Sequence, residues 1–145
     1  MHVLAHCIPG RPAFLALGLA AMLVTSGCAS LNTPATPEEI VKERAQARWD
    51  ATLARKYDVA YGLTAPSYRT LVEFEKYRAK HGMGGGISKQ GAKVYRVYCP
   101  SESACKAVIT IDYVSFMGPK PGSPSSTAYE ESWVLEAGNW WFLPR

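Results

Sequence analysis

Apolar residues recur at two different spacings along the chain. Between Val41 and Tyr57 they occupy every fourth position, which is the spacing of one buried face of a helix. This pattern predicts a helix over residues 37–56. Thr36 and Glu39 support its start, because a threonine followed three residues later by glutamate forms a capping box.

Two shorter helices are predicted after the first. One covers residues 59–63 and ends before Pro66, because the residue that precedes a proline avoids the helical region. The other covers residues 71–80, where Thr70 and Glu73 offer a second capping box.

The spacing of apolar residues then changes from about four to two, which indicates strands. Strands are predicted at residues 93–99, 105–117, 127–136 and 140–143, with a proline- and glycine-rich loop at 118–126. Helices followed by antiparallel strands predict an α+β fold, with N-terminal helices packed on a four-stranded antiparallel sheet.

An apolar run, residues 13–24, precedes the helices and follows Arg11. Its length suits the core of a signal peptide and is short for a membrane span. The stretch Leu23–Cys28 resembles the lipobox of bacterial lipoprotein precursors. The resemblance implies that residues 1–27 are a signal peptide and that Cys28 carries the lipid. The alternative is an ordinary secretory signal cleaved nearby.

The lipobox resemblance also sets the expected domains and localisation. Residues 28–36 would be a lipidated N terminus with a short tether, and residues 37–145 the folded domain. An aspartate after the lipidated cysteine retains such proteins at the inner membrane, and this chain has Ala29 there. We therefore expect an outer-membrane lipoprotein facing the periplasm, held stably because two or more acyl chains suffice for that.

The four cysteines fit this interpretation. Cys7 leaves with the leader and Cys28 takes the lipid, so Cys99 and Cys105 remain as an even pair. In an exported protein such a pair predicts a disulfide, here across a short hairpin loop and worth about 2 kcal/mol. The alternative is zinc, which needs four ligands, whereas the chain after residue 27 adds only His81 to this pair. We therefore predict no metal site.

The composition narrows the expected partners. The net charge is +4, from 16 basic and 12 acidic residues that are interleaved rather than clustered. Such a pattern does not favour nucleic acid. The expected partners are the membrane, through the lipid, and either an envelope protein or a small apolar ligand, with no cofactor.

Residues 38–145 resemble small bacterial lipoproteins with an NTF2-like, cone-shaped fold. The matching residues are Arg44–Ala45, Arg48–Trp49, Asp58, Ala60–Tyr61, Pro66, Tyr68–Arg69 and Trp133 through Trp141. The resemblance implies that the four-stranded sheet is curved, wraps the first helix and leaves a pocket at the open end of the cone. It does not decide the function, because the same scaffold hosts enzymes and binding modules.

Candidate chemistry is sparse. Asp112 with Tyr57, Tyr61 or Tyr113 could imitate the acid–base pair of NTF2-like isomerases, and the alternative is an aspartate on the outer face of the sheet. We interpret His81 as a cation favoured by a helix C terminus.

Two further sets of residues are interpreted as structural. Arg48 and Arg69 are expected to neutralise Asp50 or Asp58 near the helix junction. Of the neighbours Trp140 and Trp141, one must point outward in a regular strand, either as a contact surface or under the proline-rich loop.

The sequence therefore predicts a membrane-anchored cell-envelope lipoprotein whose domain binds a ligand or a protein and is not an enzyme. The alternative is a pocket enzyme or small-molecule carrier with Asp112 as the acid or base.

Overall fold

The computed structural model describes residues 34–82, 86–118 and 120–145. Cys28, the predicted signal peptide and most of the predicted tether lie outside these residues. The helices and strands described here belong to one compact unit, Thr33–Arg145.

Helices come first along this unit and strands follow. The elements are α1 (Pro37–Leu53), α2 (Tyr57–Gly62), α3 (Pro66–Leu71), α4 (Phe74–His81), β1 (Ile87–Ser101), β2 (Ala104–Ser115), β3 (Ser123–Glu136) and β4 (Asn139–Leu143). The strands form one antiparallel sheet in the order β1-β2-β3-β4. The α+β class and the four-stranded antiparallel sheet are therefore confirmed.

The first helix forms as its sequence predicts. The Thr36 side chain accepts a hydrogen bond from the Glu39 amide at 3.3 Å, and the Glu39 carboxylate accepts one from the Thr36 amide at 2.8 Å. These two bonds satisfy amide groups that the first turn of a helix leaves without partners.

Helix α3 was not predicted. Pro66 was interpreted as the end of a helix, but it occupies the first turn of α3, where its missing N–H group costs nothing. The predicted capping box of Thr70 and Glu73 is wrong. The Thr70 hydroxyl donates to the Ser67 carbonyl inside α3, and Glu73 is the N-cap of α4 without a capping hydrogen bond from its side chain.

The strands are longer than predicted. Strand β1 begins at Ile87 rather than at residue 93, and β3 begins at Ser123, inside the predicted loop. The reason lies in the central strand, because Ser115 at the end of β2 pairs with Ile87 on one side and with Ser123 on the other. Both neighbours continue for as long as β2 offers backbone partners.

The main core lies between α1 and the inner face of the sheet. Every fourth residue of α1 from Val41 to Trp49 is buried there. The sheet contributes Val94, Cys105, Ala107, Ile109, Ile111, Trp133, Trp140 and Phe142. Burial of each large apolar side chain contributes about 1.5–3 kcal/mol, so this face of α1 fixes the helix against the sheet.

Polar contacts at two sheet edges complete the arrangement. The Gln46 amide donates to the Ala92 carbonyl and accepts from the Val94 amide, both at 3.0 Å, and so takes the place of a further strand beside β1. At the other edge, the Phe142 amide donates to the Leu63 carbonyl at 3.0 Å. These contacts satisfy backbone groups that a sheet edge would otherwise expose.

The sulfur atoms of Cys99 and Cys105 lie at disulfide distance beside the β1–β2 turn. Cys105 is buried in the main core, opposite Trp133 on β3. The predicted pair is thus adjacent in space, at the place where it would close the first hairpin.

Candidate functional site

A cavity of about 230 Å³ lies between α1, α4 and the inner face of the sheet. Its wall includes Arg48, Trp49, His81, Lys89, Ile111 and Glu131. Alternation along β2 and β3 turns Ile111 and Glu131 inward, and the helical spacing of α1 turns Arg48 and Trp49 toward them.

A buried ion pair forms part of this wall. The guanidinium of Arg48 contacts Oε1 of Glu131, and their side chains are 2% and 0% exposed. The indole N–H of Trp49 donates to the same oxygen at 2.9 Å. The guanidinium also lies 4.1 Å from the ring centre of Phe142, a cation–π contact.

The partners predicted for the two arginines are wrong. Arg48 pairs with Glu131 on β3 rather than with Asp50 or Asp58. Arg69 donates to the carbonyl oxygens of Gly62 and Thr64. The signal for the true pair is the position of Glu131, an acid in the inward-facing set of a strand.

Burial raises the pKa of Glu131. The positive charge of Arg48 acts in the opposite direction, as do the indole groups of Trp49 and Trp133. An isolated carboxylate at this depth would be very unfavourable. The charge of Glu131 therefore depends on Arg48.

His81 differs from its predicted role as a cation. Burial, together with the positive charges of Arg48, Lys80 and Lys89, lowers its pKa to about 4. The ring stacks on Tyr77 at 4.5 Å between centres. The imidazole is therefore neutral near pH 7, and burial with nearby cations outweighs the helix dipole.

Lys89 links this cavity to a second, outer groove of about 270 Å³. The groove is lined by Ile87, Lys89, Ile111, Tyr113 and Thr127, so Lys89 and Ile111 belong to both spaces. The Lys89 ammonium lies 5.7 Å from the ring centre of Trp49. Burial lowers the pKa of Lys89, and the charge of Arg48 lowers it further.

Two larger depressions, of about 600 and 540 Å³, lie elsewhere on the surface. Glu75 and Arg78 beside the first of them pair with each other and are 66% and 56% exposed. Exposed ion pairs of this kind contribute little to stability. Of these three spaces, the cavity is the one lined by a buried ion pair among the described residues, and we take it as the candidate site.

The residues of the enzymatic alternative lie elsewhere. Asp112 is exposed, and its neighbours Ile111 and Tyr113 are the ones that line the cavity and the groove. The Tyr61 hydroxyl donates to the Val72 carbonyl at 2.7 Å, and its ring packs on Phe74. The structure does not bring Asp112 and Tyr61 together.

The two adjacent tryptophans of β4 separate as strand geometry requires. Trp140 is buried in the main core, whereas Trp141 is half-buried on the other face. Arg44 and Arg69 lie over its ring at 4.8 and 5.1 Å. These guanidinium groups provide cation–π contacts for the outward tryptophan.

Within residues 34–82, 86–118 and 120–145, no group of three or more His, Cys, Asp or Glu side chains is placed to hold a metal ion. Among the helices of that same part of the chain, none is both long and apolar enough to span a bilayer.

Comparisons with known proteins inform the fold alone. No family model matches the chain, and neither does any curated protein. A solved structure similar to this one is RPA3114, a SEC-C motif containing protein from Rhodopseudomonas palustris. It has 17% identity and a TM-score of 0.52, over 70% of this chain and 73% of that one.

A second similar structure is a SEC-C motif containing protein from Psychrobacter arcticus, with 14% identity and a TM-score of 0.55. The match covers 79% of this chain and 64% of that protein, so this chain spans less than two thirds of its length. At these identities the likeness is one of fold and carries no function across.

Separate removal of the two partners of the buried pair is expected to destabilise the protein strongly. Arg48→Met and Glu131→Leu should each lower the free energy of unfolding by about 3–5 kcal/mol, because each leaves a buried charge without its partner. The double variant should lose clearly less than the sum of the two. Urea unfolding of the protein without residues 1–27 measures all three.

Glu130 provides the matched control. It is the neighbour of Glu131 on the opposite face and contacts Lys106 at 3.6 Å near solvent. Glu130→Leu should change stability little, because an exposed pair contributes little. Equal losses from Glu130→Leu and Glu131→Leu would contradict the special role of the buried pair.

The low pKa of His81 predicts a pH dependence of stability. Between pH 6.5 and about 4 the unfolded chain binds a proton that the folded chain excludes. The free energy of unfolding should therefore fall as the pH decreases through this range, by about 2 kcal/mol after allowance for solvent screening. Compared with the wild type across this range, His81→Phe should lack this contribution, and a pH-independent difference between the two would refute the shift.

Proposed function

We propose that this chain is an NTF2-like, cone-shaped binding domain of the cell envelope, anchored through lipid on Cys28. It holds a small molecule in the cavity between α1, α4 and the sheet and catalyses no reaction. The main support is the fully buried Arg48–Glu131 pair in the cavity wall.

Energetics favour a binding role for that pair. A buried ion pair often stabilises a fold no better than apolar residues of similar size would. Stability alone therefore does not explain the charged pair beside this cavity of about 230 Å³, whereas binding of a ligand with polar groups would explain it. Small-molecule sites commonly combine apolar walls with a few placed polar groups, and Trp49, Ile111 and Phe142 supply such walls here.

The position of α1 supports the cone proposal. The helix lies against the inner face of the sheet, and α4 with the last turn of α1 borders the cavity. In a cone-shaped domain this is the end at which a pocket remains open. The helices would then cover the sheet and also limit the size of the ligand.

The anchor is proposed from the lipobox resemblance at Leu23–Cys28. Helix α1 begins at Pro37, nine residues after Cys28. A tether of that length would keep the domain close to the membrane surface. The Cys99–Cys105 pair at disulfide distance suits the oxidising periplasm, and Ala29 favours the outer membrane.

Binding is preferred to catalysis because of the position of the acid that catalysis would use. A general base must reach the proton it removes. Asp112 is exposed on the face away from the cavity, and the buried carboxylate in the wall is held by Arg48.

The proposed lipid anchor predicts that replacement of the Cys28 sulfur by oxygen prevents lipid attachment. Cys28→Ser should abolish incorporation of radiolabelled palmitate and release the protein from membranes in flotation, because the thioether to lipid needs the sulfur. Cys99→Ser is the matched control and should still incorporate label. A Cys28→Ser protein that still labels and floats would disprove the lipoprotein assignment.

The cavity predicts where an apolar probe binds. Ile111→Trp should fill the junction of cavity and groove and weaken binding of the neutral probe 2-naphthalenemethanol at least tenfold, roughly 1.4 kcal/mol. Thr110→Trp adds the same ring on the opposite face and should leave binding unchanged. Equilibrium dialysis measures both, and equal affinities in the two variants would exclude the cavity as the binding site.

A further inference from the structure

We propose that the ligand binds where this cavity meets the outer groove and is a monoanion with an apolar body, such as an aromatic or aliphatic carboxylic acid. Its acid group would lie against Lys89, and its body would lie along Ile87, Ile111 and Tyr113. This inference rests on the proposed function and names the chemical class of the ligand.

Lys89 carries the argument for an anion. The residue is half-buried at the junction of the cavity and the groove, and burial lowers its pKa. Among the described residues, its side chain makes neither an ion pair nor a hydrogen bond, and its ammonium lies 5.7 Å from the ring centre of Trp49. A partly desolvated ammonium without a counter-ion gains from an anion that binds beside it.

The other charges of the site do not offset Lys89. Glu131 is the acid in the cavity wall, and Arg48 already pairs with it. Lys80 donates to the main-chain oxygen of Arg145. Lys89 therefore adds positive charge to a pair that is neutral overall.

The same positive charges act on His81. The charges of Arg48, Lys80 and Lys89 each lower its pKa, in addition to burial. A neutral imidazole beside the acid group can donate one hydrogen bond without adding a charge. Among the described residues, the site thus offers Lys89 as a cation without a hydrogen bond or ion pair, and His81 as a polar but uncharged neighbour.

The lining of the outer groove indicates the chemistry of the rest of the ligand. Ile87 is 41% exposed there, beside Ile111 and Tyr113. Exposed apolar surface next to a cation suits an apolar group attached to an acid. A cavity of about 150 Å³ accepts benzene, so the groove of about 270 Å³ accepts a larger body.

The same features disfavour polyanions. A phosphate or nucleotide needs several donors or cations around its charge. In the described wall Arg48 is paired with Glu131, and Lys80 donates to the main-chain oxygen of Arg145, which leaves Lys89 as the cation without a partner. A single carboxylate matches that charge.

The test compares two probes of one shape on the full-length protein. Naphthalene-2-carboxylate and 2-naphthalenemethanol differ in charge and share the apolar body. Equilibrium dialysis should show that the wild type binds the carboxylate about tenfold more tightly than the alcohol. A blank with the same buffer and lipid corrects for partition into membrane.

Substitutions then locate the charge. Lys89→Met keeps the length of the side chain and should remove about tenfold of carboxylate affinity, while binding of the alcohol is unchanged. Retained alcohol binding also shows that the variant is folded. Lys93→Met, an exposed lysine on the same strand, is the matched control and should change neither affinity.

Two results would overturn the inference, and they are distinguishable. If the wild type and Lys89→Met bind both probes equally, the cavity binds small molecules but does not select anions, so the proposed function stands without this ligand class. If the wild type binds neither probe, the proposed binding function fails together with the inference.

Discussion

The contact between Arg48 and Glu131 is the interaction on which the rest of this structure depends. It joins α1 to β3 across 83 residues of sequence and lies in the interior with almost no exposed surface. A charge at that depth tolerates little displacement, because loss of the partner leaves an unfavourable buried ion. The pair therefore fixes the rotation of α1 as well as its distance from the sheet, and the same rotation directs Trp49 to the carboxylate.

Burial lowers the pKa values of His81 and Lys89, two neighbours of the pair, and Arg48 adds to this effect. Arg48 is a source of positive charge for His81 and Lys89, and it lowers the pKa of both. Burial acts in the same direction on each of them. The result is a wall in which the histidine is neutral near pH 7 and the lysine is half-buried. A fold that buried apolar residues in place of the pair would lack this pattern of charge.

Much of the fold could be predicted from local signals. The capping box of Thr36 and Glu39 and the four-residue spacing determine α1, and alternation identifies β2 and β3. The missed parts depend on tertiary pairing. Ile87 and Ser123 become strand residues because β2 supplies their partners.

The candidate site was harder to predict for the same reason. Arg48 has Asp50 close by in sequence, whereas its partner is far along the chain. Local arguments also failed for His81, because the helix dipole acts through the last turn, while the burial and the charges of Arg48 and Lys89 come from elsewhere in the fold. Residue parity on β2 was a better guide. It places Ile111 on the inner face and Asp112 on the outer face. These two consecutive residues are therefore a residue of the cavity wall and an exposed acid.

The charge distribution explains how such a site could be selective without being strongly attractive. The Arg48–Glu131 pair contributes polarity at the wall but little net charge, so it need not bind every anion that approaches. Lys89, which has no partner among residues 34–82, 86–118 and 120–145, contributes a positive charge next to the apolar surface of Ile87 and Ile111. A small inorganic anion could contact the charge of Lys89 but would gain nothing from the apolar surface. A neutral apolar molecule could contact the apolar surface but would gain nothing from the charge. A ligand that combines an acid with an apolar body gains from both, which is why the juxtaposition matters more than either feature by itself.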